Sequence, residues 1–495
     1  MEEFASFTFI DPDYFEPLGR LPARSVYPDV LAPLLPEDWK LSRFDVWFQA
    51  HPERVALQPQ GFKIHVSSTA AQAPEVLRRV ARECFRAGVT FKFVADPVLL
   101  RFLNSKRYAR GGSGKFVTLY PPDEATFLSL GEALHQATRE LEGPYILSDK
   151  RFRDSKVVYY RYGGFVRMTR LKVDGTRSLL IHRPDGAAVL DVRTPYFQLP
   201  EWVKDPLPDE PEPEGDDSGL LNGRYQVLEA LAFTNSGGIY KAVDQRTGRT
   251  VCLKEARPHT ETWLGEGRTV DAVTALQWEH DNLQRLQGLP CVPLLIERFQ
   301  EWEHTFLVTS FEEGEPLAHV RVSEDFILLT RMDDPRHVVR CCVAWRNVAL
   351  RLLDAVVSIH ARGLLVGDIS PGNVLLDRTT GALKLIDFEA AQEHGKPSVF
   401  SVQWFNPGFR APARRQVPML EPFDDFYACG MLLYNLVCPT QNLLELDPKH
   451  PVFRMLDAFV DAGLPVQVRS IIQALLDGRV DAARQEAEAW TPSNL

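Results

Sequence analysis

Apolar and polar positions alternate strictly in two short stretches of the first half of the chain. In GFKIHVS, Phe62, Ile64 and Val66 fall on one face and Lys63 and His65 on the other; in TFKFVAD, Phe91 and Phe93 oppose Lys92. A period of two predicts strands with one face toward a core. Between them PEVLRRVARECFRAG has helical spacing and a closing glycine, so the predicted order is strand, helix, strand. In the second half RYQVLEAL, GIYKAVD and TVCLKEA read as strands. Ala272, Leu276, Glu279, Leu283 and Leu286 then follow at 4-3-4-3 spacing, the stripe of an amphipathic helix. WRNVALRLLDAVVSIHARG predicts another helix closing at Gly363, before apolar runs LLV and NVLL, a turn at TTG and the strand LKLI.

A break in composition divides this pattern. From Lys204 to Gly219 the chain reads KDPLPDEPEPEGDDSG, where Pro, Asp and Glu leave nothing to build a core. The expected layout is residues 1–204, an acidic Pro-rich linker at 205–219, and a second domain at 220–495. Mixed strands and helices make the expected fold class α+β in both domains. A net charge of -10 argues against a nucleic-acid partner and requires any anion site to be local. No run of about 18 apolar residues predicts a membrane span, and MEEFASFTFIDPDYFEP lacks the basic start of a secretory signal, so a cytoplasmic protein is expected. The seven cysteines are scattered without C-x-x-C spacing, which predicts buried thiols and no disulfide framework.

Several polar residues sit where they need partners. Lys254 lies among the apolar residues of a predicted strand and Glu279 on the core-facing stripe of the next helix, so each can satisfy the other. Ser236, Gly237 and Gly238 join two strands where backbone must approach a ligand closely, as in a hairpin lid over phosphates. Asp368 and Asn373 stand five apart on one loop, and Asp387 follows the strand LKLI. Such a set accepts a hydroxyl proton on Asp368 and holds Mg²⁺ between the phosphates of ATP (or GTP) through Asn373 and Asp387.

With those residues in place, the second half resembles the protein-kinase superfamily, and the resemblance implies a bilobal fold. Asp425 in DDFYACG fits the aspartate that anchors the catalytic loop. The departures are Val366 and Gly367 in place of His-Arg, Ser370 where many kinases have Lys, and Glu389 in place of the Gly of Asp-Phe-Gly. Without the loop arginine no cation is at hand to clamp a phosphorylated activation segment, so activity is expected without activating phosphorylation.

In the first half, NSKRYARGGSGKFVTLYP places Arg110 and Lys115 around a glycine-rich bend suited to an anion; it is not a Walker loop, because Ala109 stands at its first glycine and Phe116 follows its lysine. The Lys63-x-His65 strand, Lys92, and the arginines resemble the phosphothreonine-lyase-like domain of class III and IV lanthipeptide synthetases, as do DPDYFEPLGR, LPEDWKLSRFDVWFQAHP and VVYYRYGG. The resemblance implies that a precursor peptide, with a leader and a Ser/Thr-containing core, is phosphorylated and then loses phosphate to give dehydroalanine or dehydrobutyrine. Lys92 would be the base, kept neutral by neighbouring cations, His65 the acid and Lys63 the enolate's partner, with phosphate ligands drawn from Arg110, Lys115, Arg151 and Arg161. Family members normally continue into a cyclase domain, absent before Leu495; the resemblance leaves open a longer chain, a separate cyclase partner, or no cyclisation. Two rival readings stand beside this one: a non-catalytic peptide- or nucleotide-binding protein, and a plain Ser/Thr kinase with a regulatory first domain.

Overall fold

The computed structural model describes residues 17–22, 24, 26–54, 56–207, 219–265, 268–323, 326, 331–397, 406, 408–415, 417–439 and 450–492. Residues 208–218, most of the acidic Pro-rich segment, lie outside the described residues, as does DPDYFE from the amino terminus. At the head of that segment Asp205 accepts from Lys150 Nζ (2.8 Å) and from the Tyr160 hydroxyl (2.6 Å), so residues 205–207 are still held on the first domain.

The first domain is built on one antiparallel sheet: β1 (Trp39–Phe44), β2 (Trp47–Pro52), β3 (Gln60–Val66), β4 (Phe91–Val94), β5 (Val117–Leu119), β6 (Lys150–Arg151) and β7 (Val158–Gly164). Their spatial order is β1-β2-β4-β5-β3-β7-β6. The helices Ala73–Ala87 and Glu124–Ala137 bury the apolar face, with Phe62 and Phe127 rings 5.2 Å apart. The first helix ends where Gly88 turns left-handed at φ 65°, a conformation that suits a residue without Cβ. Register then gathers the polar face. Lys92 pairs with Thr118, Thr118 with His65, and Lys63 with Arg161, which brings residues from four strands side by side. A small sheet of β8 (Thr169–Leu171), β9 (Arg177–His182) and β10 (Ala188–Leu190) follows.

The second domain opens with β11 (Tyr225–Thr234), β12 (Gly237–Asp244) and β13 (Thr250–Ala256), then the short hairpin of β14 (Trp263–Gly265) and β15 (Arg268–Val270). The helix Ala272–Leu286 is capped by Asp271, which accepts from Thr274 N, and β16 (Leu295–Glu301) and β17 (His304–Ser310) complete a sheet ordered β11-β12-β13-β17-β16. Below it lies a helical lobe, and the core that runs from Ala256, Leu276 and Leu307 into this lobe is separate from the core of the first domain. Its long helix runs Pro335–His360, ten residues longer at its start than WRNVALRLL predicts. Asp334 caps it and Pro335 occupies its first turn, a start signal that the apolar period alone does not reach. The helix Pro422–Val437 is buried along almost its whole length, and Trp345 Nε1 donates to Leu433 O at 2.9 Å to tie the two helices together. All seven cysteines are free thiols, six of them buried. No helix among the described residues is long and apolar enough to cross a membrane.

Candidate active sites

On the polar face of the first sheet, Lys63, His65, Lys92, Lys115 and Arg161 line one cavity of about 80 Å³, together with Trp47, Tyr108, Thr118 and Arg193. Each position follows from the register just described. Lys63 and His65 are both under a tenth exposed, although the alternating pattern alone is equally that of a solvated face. His65 Nδ1 donates to the fully buried Asp149, and Lys115 Nζ lies 3.2 Å from the other oxygen of that carboxylate while donating to Ser148 Oγ at 2.9 Å. Arg161 pairs with Asp191 at 2.8 Å.

The cavity is cationic, and its groups are buried enough to change protonation. Burial, then Arg161, pushes the Lys63 ammonium well below the usual lysine range. Burial, then Arg193 and Lys115, brings Lys92 down to about 8. Charge repulsion is therefore the second cause of the Lys92 shift and burial the first; against both, Lys92 Nζ sits 4.2 Å over the Trp47 ring, which favours the charged form. His65 falls to about 3, burial outweighing the Asp149 charge. Burial alone would raise Asp149, yet Lys115 and His65 hold it far below the ordinary carboxylate range.

Two of the four phosphate candidates are not brought to this cavity. The Arg110 guanidinium lies 4.6 Å over the Phe233 ring of β11, and Arg151 pairs with Glu303 at 2.7 Å between the Tyr145 and Trp302 rings. Both are taken up at the contact between the domains, where a planar cation finds aromatic faces and a carboxylate. Sequence reasoning missed Arg193, Tyr108, Trp47 and Thr118 in the lining of the cavity, and Asp149 buried behind His65 and Lys115. Arg193 follows β10 in a segment with no periodic pattern, so nothing in its neighbourhood marks it.

The second site lies between the lobes of the second domain. Lys254 Nζ on β13 donates to Glu279 Oε2 at 2.7 Å and to Asp387 Oδ1 at 2.8 Å, and Glu389 Oε2 is 3.3 Å away. Asp387 adopts φ 67°, a left-handed backbone that turns its carboxylate toward Lys254. Asp368 accepts from Asn373 Nδ2 at 3.0 Å and from Asn406 Nδ2 at 2.8 Å. Burial, then the Asp387 charge, raises it to about 6. The loop is fixed from below: Asp425 accepts from Val366 N at 2.8 Å, Gly367 N at 2.9 Å and His360 Nε2 at 2.8 Å. Ser236 lies in the turn of the β11–β12 hairpin, where its carbonyl accepts from Arg257 N at 2.8 Å, and Gly237 and Gly238 begin β12. The carboxylates of Glu279, Asp387 and Glu389 offer oxygens within 4.8 Å of one another, a hard donor set suited to Mg²⁺. Glu389 is thus a member of the cluster that its place in Asp-Phe-Glu, read only as a lost glycine, does not announce.

A lyase-like sheet joined to a bilobal kinase defines the class of protein, and comparisons with known proteins agree. Residues 28–219 match the family model for the RamC N-terminal domain, and residues 225–465 that of the protein kinase domain. The chain is 38% identical over 429 residues to the probable SapB synthase of Streptomyces coelicolor, covering 86% of this chain and 44% of that protein. It is 28% identical over 287 residues to the DNA damage-responsive serine/threonine-protein kinase RqkA of Deinococcus radiodurans (54% of this chain, 39% of that protein). It is 27% identical over 225 residues to the serine/threonine-protein kinase PknL of Mycobacterium bovis (45% and 51%). The chain spans about half or less of the length of these relatives. It belongs to the class III/IV lanthipeptide synthetase family, as a lyase-like domain followed by a protein kinase domain.

Proposed function

We propose that the chain dehydrates a precursor peptide in two steps: its second domain phosphorylates Ser and Thr, and its first domain expels the phosphate. The observation that carries this reading is the single cavity shared by Lys63, His65, Lys92, Lys115, Arg161 and Arg193, in a chain that keeps Lys254, Glu279, Asp368, Asn373 and Asp387 together in the second domain.

In the first step the substrate hydroxyl gives its proton to Asp368, whose raised affinity for a proton suits a base, as its oxygen takes the γ-phosphoryl group of the nucleotide. Lys254, held by Glu279, is placed for the nucleotide's phosphates, and the β11–β12 hairpin covers them. Asp387, Glu389 and the amide oxygen of Asn373 would hold Mg²⁺, which when bound neutralises charge on those phosphates.

In the second step the Cα–H proton of the phosphorylated residue passes to neutral Lys92. The electron pair forms the Cα–Cβ double bond, the Cβ–O bond breaks, and phosphate leaves with a proton from His65. Lys63, opposite Arg161, faces the carbonyl oxygen on which negative charge develops, and Lys115, Arg161 and Arg193 receive the phosphate. His65 is neutral in the free enzyme; a phosphate dianion beside it favours the imidazolium, so substrate itself arms the acid.

Mass spectrometry of a Ser-rich precursor peptide incubated with ATP and Mg²⁺ tests this. Net loss of water is expected, Lys92→Ala should leave phosphopeptide accumulating, and Asp368→Asn should stop both steps. Phosphopeptide as the final product of the unmodified protein would leave a plain kinase, and no change a binding protein.

A further inference from the structure

The catalytic loop reads Asp368-Ile-Ser-Pro-Gly-Asn373 and offers no cation of its own beside the transferring phosphoryl group. A cation arrives from the other domain. Lys106, in the segment that follows the first-domain helix Pro97–Leu103, places its Nζ 3.3 Å from Glu389 Oε1. Its side chain is 40% exposed, at the mouth of the cleft and not sealed within it. Its charge acts on Asp387 and on Asp368 as well as on Glu389. Lys254, the other ammonium of the cluster, is already committed to Glu279 and Asp387.

The segment that carries Lys106 is fastened residue by residue to the kinase. Asn104 O accepts from Glu261 N at 2.9 Å, Ser105 O accepts from Asn235 Nδ2 at 3.2 Å, and Lys106 N donates to the Glu261 carboxylate. Asn235 belongs to the hairpin turn over the phosphate site and is fully buried, so one three-residue segment holds both the lid and the lysine. A long, flexible side chain on a backbone fixed this firmly aims one positive charge at one place.

From this geometry we infer that Lys106 is a catalytic residue of the kinase centre, supplied by the lyase-like domain, and that its ammonium binds the γ-phosphoryl group of the nucleotide. The inference rests on the kinase reading above. In the step it serves, the substrate Oγ forms a bond to the γ-phosphorus and its proton goes to Asp368. The bond from γ-phosphorus to the β,γ-bridging oxygen breaks and the nucleoside diphosphate leaves with that oxygen. Lys106 keeps its proton throughout and offsets the charge on the γ-phosphoryl oxygens. The kinase domain alone would then lack part of its own active site, which couples phosphorylation to the presence of the domain that consumes the phosphopeptide.

Calorimetric titration of the full chain with Mg²⁺ plus AMP-PNP, and separately with Mg²⁺ plus ADP, tests this without any peptide. Lys106→Met should weaken AMP-PNP by about tenfold, the size of one charged hydrogen bond, and leave ADP within about twofold. Lys106→Arg should recover most of the loss. Equal weakening of both nucleotides would reduce Lys106 to a brace of the domain contact, and unchanged binding of both would remove it from the site; either overturns the inference while the kinase reading stands. Failure of the unmodified chain to bind either nucleotide would overturn the kinase reading and this inference together.

Discussion

Lys63 of β3 and Arg161 of β7 stand directly opposite one another in the sheet, and both project into the same cavity. Two cations held side by side in a buried place are costly unless an anion is to join them. The Asp191 carboxylate pairs with Arg161, and its charge offsets only part of the push of Arg161 on Lys63. Removing Lys63 should therefore relieve repulsion in the free protein while damaging elimination. For Lys63→Met the expected loss in elimination from a pre-phosphorylated peptide is about 10²- to 10³-fold. Thermal unfolding of the same variant should show a melting temperature unchanged or raised.

The pH dependence of elimination should follow Lys92. A base must be neutral, and with its proton affinity brought down to about 8 the neutral fraction grows tenfold per pH unit below that value and levels off above it. The rate from pre-phosphorylated peptide should rise from pH 6 to about 8 and then flatten. A profile flat across that range would show that Lys92 is not the group whose deprotonation limits the step.

His65 gives a signature independent of turnover. Burial holds it near 3, so in the free protein its ring nitrogens should report neutral imidazole down to about pH 4. Saturation with a phosphopeptide should move the transition upward by bringing negative charge to the cavity. Nitrogen-15 spectra of a His-labelled sample measure both states. Asp149→Asn should blunt the response, because the carboxylate that holds Nδ1 and balances Lys115 is gone.

What the sequence made legible was whatever periodicity and motif spacing encode. The faces of β3 and β4, the stripe that places Glu279, and the spacing of Asp368, Asn373 and Asp387 all read locally, because a strand or helix repeats within a few residues. Arg110 and Arg151 read the same way as Lys115 and Arg161, as basic residues near a glycine-rich bend or a strand. Only the packing of the two domains decides that Phe233 and Glu303 take the first pair and leave the second to the cavity. The roles of Asp149, Arg193, Glu389 and Lys106 are equally non-local, since each depends on a partner far away in the chain.

Activation should require no phosphorylation of the protein itself. The catalytic loop is held by Asp425 through the backbone N–H groups of Val366 and Gly367, and those contacts need neither an arginine in the loop nor a phosphate on the segment that follows. Phosphatase-treated protein should phosphorylate peptide at the rate of untreated protein. Asp425→Asn, which loses charge beneath the loop, should slow phosphorylation by about tenfold or more and leave elimination from pre-phosphorylated peptide intact. Loss of activity after phosphatase treatment would mean that an activation clamp exists outside these contacts.

Gly237 tests the phosphate lid. A Cβ added there would come within 1.9 Å of the Glu255 carbonyl oxygen on β13, and a backbone atom cannot swing aside as a side chain can. Gly237→Ala must therefore push the start of β12 away from β13 and lift the hairpin that Arg257 and Ser105 now hold. The expected result is a rise in the KM for ATP of about tenfold or more, with a smaller change in kcat, because the lid binds phosphates in the ground state as well as in the transition state. Elimination depends on a cavity in the other domain and should stay within about twofold, which separates a displaced lid from general loss of structure. A variant with unchanged KM would place the nucleotide's phosphates away from this hairpin.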